Sequence, residues 1–312
     1  MRAATIAGLN NSHTPLGEVV GLEGYLRGYE RIRVLAKALG APLHGDSRIA
    51  AYGRAIESWR NGDREVIAPV HLHRGLVDLI QVVLICDVLG ERSDAKPLIR
   101  RIFGGPVETL FVKDHDPARD LQFELLVGAQ LVRAGARVRL AEPDLVLEVP
   151  GGNIALAAKR PSKITAVEDA LRSATRQIRR SGLRGLAVID VSAFPIGGDG
   201  LLFSSIIEPG QRPGQAAIGH LHKVMQDLQP TVLGRFWREE PERSGTEGIL
   251  FHVAVDVTAT RALEMHVGEA WGICTTTKGA TPACRHLEAS LGMLGLLPTL
   301  GTDATARPTG AL

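Results

Sequence analysis

The sequence predicts an α/β protein in which a central mixed sheet flanked by helices follows a mainly helical N-terminal unit. Two patterns carry this expectation. Apolar residues recur at helical spacing through most of the first hundred positions, and from Asp116 onward the order reads helix, strand, strand, helix, strand. The 312 residues are 45% hydrophobic and 22% charged, a balance suited to a folded chain with a substantial core and unlike that of a disordered one. The change of texture divides the chain into a helical unit over 1–110, an α/β unit over 111–300 and a flexible tail over 301–312.

The N-terminal helices are justified one by one. From Gly24 to Leu39 the stripe is Leu26, Ile32, Leu35 and Leu39, stopped by Gly40; from Ser47 to Trp59 it is Ile49, Tyr52, Ile56 and Trp59. A third helix spans Val70 to Leu89. Its apolar part, Leu76 to Leu89, is interrupted by Asp78, Gln81 and Asp87 and falls short of the roughly 20 residues a bilayer requires, so it reads as a buried helix and no membrane association is expected. Gly90 to Pro106 mixes charge, Gly and Pro and reads as a connection.

In the second unit, Asp116-Pro117 is a helix start, an N-cap acceptor followed by Pro at the first helical position. The stripe Leu121, Leu125, Ala129 and Val132 then runs to Gly135. Two apolar runs, Asp144 to Val149 and Ile154 to Lys159, flank Pro150-Gly151-Gly152-Asn153, a hairpin signal. A helix from Thr165 to Arg180 buries Val167, Ala170, Leu171, Ala174 and Ile178 and ends at Gly182, and Gly185 to Val191 reads as a buried strand. Leu201 to Ile207 and Ile249 to Val257 read as further strands and Gln215 to Leu228 as a helix.

Three cysteines, Cys86, Cys274 and Cys284, are an odd number without metal-site spacing, and no apolar stretch of signal-peptide type follows Arg2. A reducing, cytoplasmic setting is the expectation. With 36 Lys+Arg against 34 Asp+Glu the net charge is only +2, which excludes a general polycation. The charge is nevertheless uneven: Lys159 to Arg184 holds eight basic residues against Glu168 and Asp169. Arg172, Arg176 and Arg180 lie four apart on the helix, opposite its apolar stripe.

If Val149 and Ile154 flank the turn, Asp144 lies directly opposite Lys159, with both side chains on one face of the hairpin. A helix carrying Glu124, a Glu142-Pro143-Asp144 strand start, a strand ending Lys159-Arg160-Pro161 and a helix bearing Gln177 resemble, in that order, the PD-(D/E)XK nuclease superfamily over about 80 residues, Asp116 to Ser192. The resemblance implies a restriction-endonuclease-like fold and a metal-dependent nuclease that hydrolyses phosphodiester bonds. By matching position it makes Asp144, Lys159 and Glu124 catalytic, with Asp144, Glu124 and Glu142 holding Mg²⁺ or Mn²⁺. Nucleic acid, DNA rather than RNA, would be held by Arg160, Lys163, Arg172, Arg176, Gln177, Arg179 and Arg180. One element departs: two residues before Lys159, where the superfamily places an acid on the same strand face, stands Ala157. The alternative is therefore a catalytically silent protein of this fold that binds nucleic acid or serves assembly. The helical unit would select the substrate or pair with a second copy or a protein partner.

Overall fold

In the computed structural model, the structure describes residues 5–8, 22–41, 43–45, 47–62, 69–104, 116–149, 152–194, 204–207, 213–228, 232–233, 236, 245–259 and 265–275. The expected tail at 301–312, Cys284 and the start of the 201–207 strand lie outside them, as does the side chain of Cys274. The helices are α1 (Leu22–Ala38), α2 (Arg48–Arg60), α3 (Pro69–Leu89), α4 (Lys96–Ile102), α5 (Pro117–Arg133), α6 (Val167–Ser181) and α7 (Pro213–Leu228). The strands are β1 (Thr5–Gly8), β2 (Arg137–Ala141), β3 (Asp144–Val149), β4 (Gly152–Lys159), β5 (Arg184–Asp190), β6 (Ser204–Ile207), β7 (Thr246–Ala259) and β8 (Met265–Thr275).

The strands form one mixed sheet in the order β1-β8-β7-β5-β4-β3-β2, with β6 also paired to β7. β2, β3 and β4 are an antiparallel meander; β4, β5 and β7 run parallel; β8 returns antiparallel. The central strands are covered on both faces, which is why β4 and β5 read as nearly continuous apolar runs and β7 as one interrupted by buried His252. Alternation along β4 sends Leu156 and Ala158 into a core shared with α1 to α5, and Ala155 and Ala157 into a second core beneath α6 and α7. The helices of residues 22–104 thus bury their apolar stripes against α5 and the sheet.

Helix ends follow local chemistry. The side chain of Asp116 accepts from the amides of Ala118 and Arg119 at the start of α5, and Gly182 closes α6 in the left-handed region at φ 70°. Four features depart from the sequence reading. The stretch read as a connection, 90–106, contains α4, started by Pro97 in its first turn. β2 adds a strand before the hairpin, and β8 and β1 extend the sheet beyond the expected strands. The hairpin is also tighter than expected: Val149 pairs with Gly152 and Leu145 with Leu156, so the register is displaced by two residues from an Asp144–Lys159 opposition. Side chains repeat every second residue, so a two-residue displacement leaves both on the same face, one diagonal step apart.

Candidate active site

Asp144 opens β3 and Lys159 closes β4, so both stand at one end of the meander. The diagonal step is within reach of a lysine. Its Nζ lies 3.0 Å from Asp144 Oδ2, which also accepts from the Ala158 amide at 2.8 Å, and Nζ donates to the Ala158 carbonyl at 2.7 Å. The carboxylate thus takes an amide where the β3–β4 ladder ends and holds the lysine head with the same oxygen. From above, Gln177 on α6 places its amide nitrogen 3.4 Å from Asp144 Oδ1 and from the Pro143 carbonyl. Three elements converge on Asp144.

Burial pushes the Asp144 carboxyl above its ordinary value, more than the ion pair and hydrogen bonds with Lys159 and the Ala158 amide lower it. Half-buried Glu124, on α5, forms no hydrogen bond with this group, but it feels both of its charges. Burial first, then the negative charge of Asp144, pushes it up to about 7, against the lowering influence of Lys159. Glu142 does not lie on β3: it is an exposed residue of the β2–β3 turn, joined to Pro143 by a cis peptide, and its charge adds to the load on Asp144. The strand start read at Glu142-Pro143-Asp144 thus falls at Asp144, with Glu142 in the turn before it.

No group of three or more His, Cys, Asp or Glu side chains arranged to hold a metal ion occurs among the described residues. Ala157 explains part of this, since its methyl is fully buried in the core under α6 where an acid would have stood. Burial raises both carboxyls, and the charge of Asp144 adds to the rise of Glu124, a load that a cation would relieve. Mg²⁺ typically takes one or two carboxylates and completes its shell with water and substrate phosphate. Asp144 and Glu124 are the carboxyls available to such an ion, with Glu142 in the adjoining turn.

Of the basic residues, Lys163, Arg172, Arg176, Arg179 and Arg180 are exposed, and Arg172 is paired with Glu168 at 2.7 Å. Arg160 is different. Its side chain is 7% exposed and its Nε lies 3.1 Å from Asp190 Oδ2, so it turns inward and is not a surface contact. Asp190 in turn accepts from the Ser192 amide and hydroxyl, and its Oδ1 lies 3.0 Å from His252 Nδ1; His252 Nε2 lies 2.9 Å from Glu269 Oε1. This buried ionic chain ties the ends of β4 and β5 to β7 and β8, directly behind Lys159. Its members are spread from position 160 to 269, and no local spacing in the sequence joins them.

α5 is anchored at both ends around Glu124. Arg119 and Gln122 bond to Asp78 on α3, which also holds Arg48 at 2.7 Å, while Gln130 donates to Glu269 at 3.2 Å. No family model, curated protein or solved structure matches the chain.

Proposed function

We propose that the protein is a metal-dependent nuclease of the restriction-endonuclease-like fold, hydrolysing phosphodiester bonds in nucleic acid. The observation that carries this reading is the convergence of Asp144, Lys159 and Gln177 from β3, β4 and α6, with the carboxyl of Glu124 electrostatically coupled to the pair. When bound by Asp144 and Glu124, with Glu142 nearby, Mg²⁺ or Mn²⁺ would supply charge to the phosphate and acidity to a water. The chain's own groups do the rest. Lys159, held by Asp144, sets a positive charge beside the position where negative charge accumulates on the phosphoryl oxygens. With Asp144 and Glu124 engaged by the ion, the proton of the attacking water would pass to solvent and the leaving oxygen would take one from it. Addition of that water breaks one P–O bond and leaves a phosphomonoester and a hydroxyl. Gln177 fixes Asp144, and the exposed cations of α6 hold the backbone without reading sequence.

A second reading rests on Ala157. Its burial in an apolar core favours a protein that keeps the fold and binds nucleic acid without cutting it. One assay separates the two: purified protein is incubated with single- and double-stranded DNA and RNA in Mg²⁺ or Mn²⁺, beside Lys159→Ala and Ala157→Glu. The nuclease reading expects the wild type to cleave at least one substrate and Lys159→Ala to lose about 100-fold or more in rate. A wild type inert on every substrate, with cleavage gained only in Ala157→Glu, transfers the conclusion to the binding reading.

A further inference from the structure

α6 lies over β4 and β5, and no described helix covers β2 and β3 on that side of the sheet. The register places Ala141 beside Asp144, Arg139 beside Val146 and Arg137 beside Glu148, so alternate residues of β2 share the face of Asp144 and Lys159. Arg137 and Arg139 are both exposed, and Arg139 meets Glu148 at 2.9 Å while its side chain stays 54% exposed. The strip is bordered on its other side by α6. The contact of Gln177 with Asp144 identifies the flank of α6 that faces β3; Arg180 lies one turn beyond it on that flank, and Arg176 beside it on the outward surface. The result is a shallow channel with Arg137 and Arg139 on one wall and Arg180 and Arg176 on the other. Val146, 3% exposed, is closed off beneath it and lines none of its surface; Glu148 is the acid within it, and it opens at one end on Asp144 and Lys159.

We propose that this β2–β3 channel seats the sugar-phosphate backbone of a nucleic acid strand as it leaves the Asp144–Lys159 site, with Arg137 and Arg139 as phosphate contacts. The inference rests on the nuclease-like reading for the identity of the site at its end, and on charge for its occupant. Four guanidinium groups against one carboxylate attract a polyanion. At about 3.3 Å per residue, Arg139 and Arg137 stand roughly 7 and 13 Å along β2 from the level of Asp144, a linear series suited to consecutive phosphates and not to a single small anion. Guanidinium forks bind phosphate in bidentate fashion.

The test measures binding of fluorescent single- and double-stranded DNA and RNA oligonucleotides by anisotropy in EDTA, over a series of salt concentrations. It compares the wild type, Arg137→Gln with Arg139→Gln, and a charge-matched control, Arg54→Gln with Arg100→Gln, exposed on α2 and α4 across the sheet. The channel double variant is expected to bind the preferred probe about tenfold more weakly. Its slope of log affinity against log salt should flatten by about 0.7–0.9 per arginine, while the control follows the wild type. Equal affinity and slope in the channel variant and wild type overturn the inference, as does a wild type that binds no oligonucleotide. A polyglutamate probe bound as tightly as DNA overturns it in favour of an acidic protein partner. Because no metal is present, the result stands whether or not the protein cleaves: loss of binding without wild-type cleavage sinks the nuclease reading alone, and cleavage with unaltered binding sinks the channel alone.

Discussion

Glu124 carries the most informative perturbation in the protein. A carboxyl whose folded value is raised from the ordinary 4.5 to about 7 is one whose charged form the fold disfavours, so its contribution to stability declines as pH rises from 4.5 through 7. Glu124→Gln should therefore leave the melting temperature unchanged near pH 4 and raise it at pH 8, by a free energy on the order of 2–3 kcal/mol. Thermal melts of both proteins at the two pH values check this, and equal melting temperatures at pH 8 would show that Glu124 ionises as freely as a surface acid. The sequence supplies Glu124 only as an acid on the right helix. Its depth and its coupling to Asp144 come from the packing of α5 against α3 and the sheet, which no local spacing reveals. Arg160 makes the same point in reverse: beside Lys159 it reads as one more surface cation, and only the position of Asp190 at the end of β5 draws it inward.

The β3–β4 hairpin, α5 and the α6 crossover are the parts most open to sequence reasoning, because Asp116-Pro117, the apolar runs and Gly182 mark their boundaries independently of tertiary context. The displaced hairpin register was not legible, since Pro150-Gly151-Gly152-Asn153 accommodates a two- or a four-residue turn equally well; the site survived because the displacement was even. β2 escaped notice because Arg137 to Ala141 is five residues with two exposed arginines, short and polar enough to pass for a loop. The parallel pairing of β4 with β5 rests on a less visible requirement. At Gly185 an added Cβ would lie 2.2 Å from the Ala155 carbonyl oxygen, a contact with backbone that no rotamer change relieves. Gly185→Ala is expected to destabilise the fold by at least about 2 kcal/mol, since the two strands must part to admit it. Denaturant unfolding measures the loss, and a variant as stable as the wild type would mean that β5 can shift without disturbing the pairing.

Across the molecule the two apolar cores meet at a sheet whose centre is ionic. The chain from Arg160 and Asp190 to His252 and Glu269 links the end of β4 to β8, with the charge of Arg160 also felt by Asp78 on α3, and its charges answer one another: burial alone would raise Asp190, but Arg160 and His252 hold it well below the usual carboxylate range. His252, tilted at 47° against Trp271 with ring centres 4.3 Å apart, has each nitrogen within hydrogen-bond distance of a carboxylate. Burial would lower it, yet the hydrogen bonds and charges of Asp190 and Glu269 raise it to about 9. The two signs bound the stable range. A base with a raised folded value contributes fully below its unfolded value near 6.5 and loses that contribution as pH climbs through about 9, whereas Asp190 contributes above 3.8 and loses it as pH falls into the acid range. With the Glu124 carboxyl removed, as in Glu124→Gln, melting temperature should therefore be highest between about pH 4 and 6.5 and fall between 6.5 and 9. Glu124 also weakens the wild type on the alkaline side, so the decline assigned to His252 is read in Glu124→Gln. A melting temperature in that variant that stays level from pH 6 to 9 would mean that His252 is neutral in the folded protein. One of its two carboxylate contacts would then have to carry the proton instead, and the ionic centre would not be held together by charge.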